Sequence, residues 1–219
     1  YELNDYDNSL KDYANAETRA ETNEQNMLLH WFKGDLYLKK KNYERSIIEY
    51  NKALSLESTE FINMIYHSRG TLYSELKEYE NALKDFNTSI KLSSEYPDVY
   101  ESRGDLHYER KDYLKALKDY YKVIDLDSQN IDVYYKISKV YYQLSDYDSA
   151  IYQLNKLINL DPKSVEAYNK LGNMYAYKGD YKNAMLYYRK LIDIDPYLRT
   201  PYNNLGNIYS DLNEYDKAL

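Results

Sequence analysis

A chain of 219 residues with 43% hydrophobic and 30% charged side chains has the material for a folded core and none of the composition of disorder. Its mean hydropathy is −0.85, with no apolar run near the roughly 18 residues a membrane span requires, and its lack of cysteine excludes disulfides, thiolate metal sites and a cysteine nucleophile. A formal net charge of −7, with a pI near 5.1, argues against nucleic acid as the main partner, because phosphate binding needs clustered Lys and Arg.

The predicted elements are helical from end to end, and they repeat. The first is a helix carrying Tyr6 in the tract YDNS. Matching tracts follow as YERS at Tyr43, YENA at Tyr79, YLKA at Tyr113, YDSA at Tyr147, YKNA at Tyr181 and YDKA at Tyr215. Successive spacings are 37, 36 and then 34 residues four times. Nine residues before each tract from Tyr43 onward stands a small residue, at Gly34, Gly70, Gly104, Ser138, Gly172 and Gly206, with an aromatic or His three positions on. This register predicts one helix-turn-helix unit used over and over, with small insertions near Glu17 to Asn26 and Leu56 to Ile62. Residues 1–26 read as the second helix of a preceding unit plus a short insertion. Units then occupy 27–62, 63–96, 97–130, 131–164, 165–198 and, cut short, 199–219, all in one domain. The chain opens at Tyr1 without Met and stops at Leu219 in mid-pattern, so it reads as a piece of a longer protein; no signal peptide is recognised, and the compartment stays open, leaning to the cytoplasm.

These residues resemble the tetratricopeptide repeat. The fourth position of each unit is His30, Tyr66, Tyr100, Tyr134, Tyr168 and Tyr202; the twentieth is Ser46, Ala82, Ala116, Ala150, Ala184 and Ala218; Pro162 and Pro196 close the last two full units. The resemblance covers nearly the whole chain and implies an all-α fold, a right-handed superhelical solenoid of antiparallel helix pairs. Small residues such as Gly172 and Ala184 would let paired helices approach, with Tyr175 and Tyr188 filling the space around them, so most of the 31 tyrosines are expected to pack rather than react. Ser58, Ser94 and Ser128 stand in place of the closing proline, which predicts less rigid turns there. Val123, Leu157 and Leu191 replace a small residue near the end of the second helix, which should alter the tilt between units.

The first helices would line a concave groove, as the resemblance implies, with positions 2, 5, 9 and 12 of each unit facing it. That face begins apolar with Leu28, Trp31 and Leu38 and turns acidic through Asp98, Glu101 and Asp105. It ends basic and amide-rich with Tyr135, Lys139, Tyr142, Asn169, Lys170, Asn173, Asn203, Asn204 and Asn207. Asparagines can pair with any peptide backbone and lysines with carboxylates, so an extended or helical peptide segment is the expected ligand. Trp31 could anchor such a segment or pack with Phe32 against the N-terminal helix. Some relatives hold a C-terminal carboxylate with Lys and Asn on consecutive first helices; Asn173 and Asn204 match that pattern, but Asn169 stands where its first Lys belongs.

Little else suggests chemistry. His30, His67 and His107 fall at packing or groove positions and form no ligand cluster, and the acidic run on the third unit reads as a solvated face rather than a metal or acid-base site. The glycines recur one per unit and build no phosphate loop; the tripeptide Asn87-Thr88-Ser89 sits inside a predicted helix. The reading is a non-catalytic protein-protein interaction scaffold with no catalytic residue, metal or cofactor, whose partners are proteins rather than nucleic acid or membrane. Its rivals are a recruiting arm of an enzyme whose catalytic domain lies outside the fragment, and a self-association module.

Overall fold

The computed structural model describes residues 2–56 and 61–212, and these form twelve α-helices. Ser58, Tyr215 and Ala218 of the sequence pattern lie outside them. The helices fall into two compact units, Tyr1–Arg110 and Lys111–Leu219. The first unit holds α1 (Glu2–Glu17), α2 (Asn23–Lys39), α3 (Tyr43–Ser55), α4 (Ile62–Glu75), α5 (Tyr79–Leu92) and α6 (Pro97–Glu109). The second holds α7 (Tyr113–Leu126), α8 (Ile131–Gln143), α9 (Tyr147–Leu160), α10 (Val165–Tyr177), α11 (Tyr181–Ile194) and α12 (Arg199–Asp211). The tract tyrosines Tyr43, Tyr79, Tyr113, Tyr147 and Tyr181 are each the first residue of a helix.

The constancy of the nine-residue spacing has a local cause. After α2, Lys41 turns into the left-handed backbone region at φ 57°, its N–H bonds back to the Leu38 carbonyl, and the Asn42 N–H bonds to the Tyr37 carbonyl at 2.9 Å. This is a Schellman stop. Asn42 then accepts the Arg45 N–H on its side chain at 3.3 Å and so begins α3. One residue closes a helix and opens the next. Glu78 closes α4 on the Tyr73 carbonyl in the same way, without the side-chain cap. Asp146 and Asp180 do both jobs at α8–α9 and α10–α11, closing on Tyr141 and Tyr175 and accepting from Ser149 and Asn183. Among the described left-handed positions only Gly179 is a glycine; Lys41, Phe61, Lys77, Lys111 and Ser145 carry side chains there.

Within each unit, consecutive helices pack antiparallel partner on partner: α2 on α3 and α4 on α5, then α8 on α9 and α10 on α11. The contact is a ring laid on a glycine. A Cβ built on Gly34 would lie 2.5 Å from the Tyr50 ring, one on Gly70 2.8 Å from Phe86, and one on Gly172 2.3 Å from Tyr188. Those rings are almost wholly buried, Tyr50 beside Met27, Ala53, Ile65 and Leu72 and Tyr188 beside Ala184 and Ile208. The α8–α9 pair departs from the pattern. Ser138 replaces the glycine and Leu154 the ring, both buried.

Turns between pairs are tied without regard to proline. The hydroxyl of Tyr100 donates to the Ser94 carbonyl, that of Tyr134 to Ser128 and that of Tyr202 to Pro196, at 3.3, 3.2 and 3.1 Å. Asp127, Asp161 and Asp195 each accept an N–H two residues on. The serine turns at Ser94 and Ser128 therefore carry the same tyrosine tether as a proline turn. Val123, Leu157 and Leu191 are simply absorbed into the core. Where His30 replaces the fourth-position tyrosine, its Nδ1 meets Glu49 Oε2 at 2.7 Å. Burial works to raise the Glu49 carboxyl, but hydrogen bonds from Lys52 and His30 outweigh it and hold the group below the usual range.

Two outcomes follow from these contacts. Ser145→Gly should stabilise the fold by about 1 kcal/mol in urea denaturation, because glycine carries no Cβ penalty at φ 59°. Gly172→Ala should cost about 1–3 kcal/mol by overpacking Tyr188. Combining it with Tyr188→Leu, which imitates Ser138 with Leu154, should cost less than the two single losses summed; strict additivity would refute the ring-on-glycine account.

Candidate functional site

In the first unit the face of α2, α4 and α6 is largely committed to internal bonds. Trp31 is half-buried, donates its indole N–H to Ser68 Oγ at 3.0 Å, and lies 6.4 Å from the Phe61 ring. Its neighbour Phe32 is the one that stacks on Tyr13 of α1, 6.3 Å away. Asp35 accepts the Tyr50 hydroxyl at 2.6 Å; burial raises its carboxyl, against the pull of that bond and of Lys39. His67 is clamped between Ser102 Oγ at 2.8 Å and the Tyr96 hydroxyl at 3.1 Å. Burial pushes its imidazole below the ordinary value despite nearby Asp98 and Glu101, so it is neutral at pH 7. Glu101 and Asp105 are half-buried on α6, one helical turn apart.

The second unit gathers most of the expected groove residues. The Tyr135 ring of α8 lies between two ammonium groups, Lys139 Nζ at 5.9 Å and Lys170 Nζ at 6.0 Å from its centroid. Both distances are within cation–π range. Beside them is a cavity of about 120 Å³, lined by Tyr135, Ser138, Lys139, Tyr142, Leu154, Lys170, Asn173, Met174 and Tyr177. No carboxylate is among its walls.

Asn173 links this cavity to an amide cluster. Its Oδ1 accepts the Tyr188 hydroxyl at 2.7 Å and the Asn204 amide at 3.4 Å, while Asn204 also reaches Asn169 Oδ1 at 3.5 Å. Burial, with the Tyr177 hydroxyl nearby, pushes the Tyr188 phenol up to about 12, so it stays a donor at any physiological pH. With its oxygen occupied, Asn173 keeps its amide N–H groups for a ligand. A second, more open hollow of about 260 Å³ is lined by Asn173, Tyr177, Tyr188, Asn204 and Asn207 among others. Thus Tyr135, Lys139, Lys170 and Asn173 meet at one cavity, and Asn173, Asn204 and Asn207 at the next. Trp31, Glu101 and Asp105 belong to the first unit.

Sequence reasoning passed over Leu154 and Tyr177. The signal for Leu154 was present as a break in a series, since the equivalent positions are Tyr50, Phe86, Tyr120 and Tyr188. Tyr177 closes a cluster with Tyr142 and Tyr147, the three ring centroids 5.8–6.0 Å apart. Among the described residues no three His, Asp or Glu side chains are grouped to hold a metal ion, and no helix is long and apolar enough to cross a membrane.

Comparison with known proteins agrees with this architecture. Two family models match. One, described as a TPR repeat, matches residues 70–110, 104–145 and 138–176; the other, a tetratricopeptide repeat, matches 29–60, 165–197 and 200–219. A search of the curated proteins finds no significant match. Among solved structures, the C-terminal part of a TPR repeat-containing protein from Cytophaga hutchinsonii superposes with a TM-score of 0.83 at 17% identity, covering 99% of this chain and 88% of that one. MamA protein gives 0.69 at 22% identity, over 78% of this chain and 93% of its own. YrrB, described as a TPR protein with an unusual peptide-binding site, gives 0.66 at 21%, over 86% and 95%. The repeated ring-on-glycine helix pairs and the matched repeat models together place the chain in the tetratricopeptide-repeat family.

Proposed function

We propose that this chain is a non-catalytic interaction scaffold that binds peptide segments of partner proteins on the first helices of its repeats. The observation that carries the reading is the meeting of Lys139, Lys170 and Asn173 around one cavity, in a chain whose net charge is −7. The amides of Asn169, Asn173, Asn204 and Asn207 suit the backbone of any extended peptide, and the ammonium of Lys170 suits a carboxylate carried by it. A structurally similar protein, YrrB, is itself described as having a peptide-binding site. In the first unit Trp31, Glu101 and Asp105 are the residues proposed to contribute, Trp31 as an apolar contact and the carboxylates as acceptors.

The test is selection from a random peptide display library against the chain and against the quadruple variant Lys139→Ala/Lys170→Ala/Asn173→Ala/Asn204→Ala. Selected peptides should bind the variant at least tenfold more weakly, a loss of about 1.4 kcal/mol, and should weaken further as salt is raised. Equal binding by both proteins would remove the second unit's face from consideration.

A further inference from the structure

We infer that Tyr142, Tyr147 and Tyr177 form a docking surface for a proline-rich stretch of the bound peptide, held in its extended polyproline conformation. The inference rests on the peptide-binding reading above and specifies what the segment contains.

The three rings come from α8, the start of α9 and the end of α10, and their centroids lie 5.8–6.0 Å apart. Tyr177 is 60% exposed and Tyr142 37%, so the cluster meets solvent instead of filling a core. The repeat does not call for it. The counterparts of Tyr177 in the other units are Lys39, Glu75, Glu109, Gln143 and Asp211, none of them aromatic. One unit on, Asp211 accepts the hydroxyl of Tyr181, the counterpart of Tyr147, at 3.4 Å, so a carboxylate stands where the third ring stands here.

Hydrogen-bond polarity selects the ligand. The cavity that Tyr142 and Tyr177 share also has Lys170 and Asn173 in its walls. Apart from hydroxyls, the side-chain oxygen among those walls is that of Asn173, which already accepts the Tyr188 hydroxyl at 2.7 Å and the Asn204 amide at 3.4 Å. Donors remain for a ligand: the Asn173 N–H groups and the Lys170 ammonium. The next hollow has Asp211 among its walls and lacks this one-sided character. An ordinary extended peptide brings N–H groups that would find few acceptors here, whereas a run of prolines offers carbonyls and no N–H. Its backbone is already extended before binding, so ordering it costs little, and aromatic-lined surfaces are where such segments dock.

Decaproline is the probe. In isotope-labelled protein it should shift the signals of Tyr142, Tyr147, Tyr177 and Asn173, and a glycine–serine peptide of equal length should not. Tyr177→Glu, which restores the residue type of Glu75 and Glu109 at an exposed position, should bind decaproline at least tenfold more weakly with an unchanged circular dichroism spectrum. Asn173→Asp, which keeps an acceptor for the Tyr188 hydroxyl and removes the N–H groups, should lose as much. Peptides selected on the parent should carry at least two prolines within four residues and lose at least tenfold in affinity for Tyr177→Glu. Should that variant fold poorly, Tyr177→Ala replaces it with the same loss expected. Equal shifts from the two decapeptides, decaproline binding unchanged by Tyr177→Glu, or proline-free peptides lost only in the quadruple alanine variant would overturn the proline surface and leave the peptide-binding reading standing. No selected peptide, together with no decaproline shift, would overturn both.

Discussion

Everything in each unit depends on a ring resting directly on a backbone. Where Gly34, Gly70 and Gly172 present no side chain, Tyr50, Phe86 and Tyr188 lie against the opposing helix at distances no Cβ could share. The helices of a pair can then approach closely, and the surrounding apolar residues are brought within contact range of one another. Because each ring is carried by the second helix and its hydroxyl, in the tyrosine cases, bonds a residue of the first, the contact sets rotation as well as distance. The ninth-position residue is thereby anchored, and the rest of the first helix's outer face follows from its 3.6-residue period.

One pair of the second unit dispenses with that contact. The pair with Ser138 and Leu154 keeps its core without the ring, since both residues are buried. The hollow beside Leu154 is followed by a more open one beside Tyr188, so concavity recurs between successive first helices. Charge and shape coincide at the first of these: Lys139 and Lys170 stand beside the cavity, in contact with Tyr135, and acidic side chains are absent from its walls. The amides of Asn173 and Asn204 extend the polar surface along the next helices without adding charge.

Most of the fold was legible because every weak signal was sounded several times. A lone tyrosine three residues before an alanine says little, but seven at a nearly constant spacing mark a repeated unit, and Tyr43, Tyr79, Tyr113, Tyr147 and Tyr181 prove to be first residues of helices. The left-handed turns were not legible, since Lys41, Lys77, Lys111 and Ser145 adopt a conformation that composition assigns to glycine; the hydrogen bonds of the helix stop outweigh the local preference. That Lys139, Lys170 and Asn173 lie near one another followed from the helical period together with the repeat register. Their cavity did not, because its walls come from two successive first helices and from Leu154 of α9, and the distance between those helices is set by packing. Nor did the sequence distinguish the roles of Trp31 and Phe32, adjacent aromatics whose different partners, Ser68 and Tyr13, come from different helices.

The residue that both ends one helix and begins the next has a consequence for how such a chain can grow. At Asn42, Asp146 and Asp180 the joint has no spare residue, so its length cannot drift without undoing a stop and a start together. Length variation is pushed instead into the links between pairs, where the 36-residue spacing from Tyr43 to Tyr79 departs from the later 34. A copied segment that begins and ends in such a link carries a complete joint with it. Duplication of coding sequence can therefore lengthen the array by whole pairs without redesigning any turn, and each new copy is then free to change the outer face of its first helix.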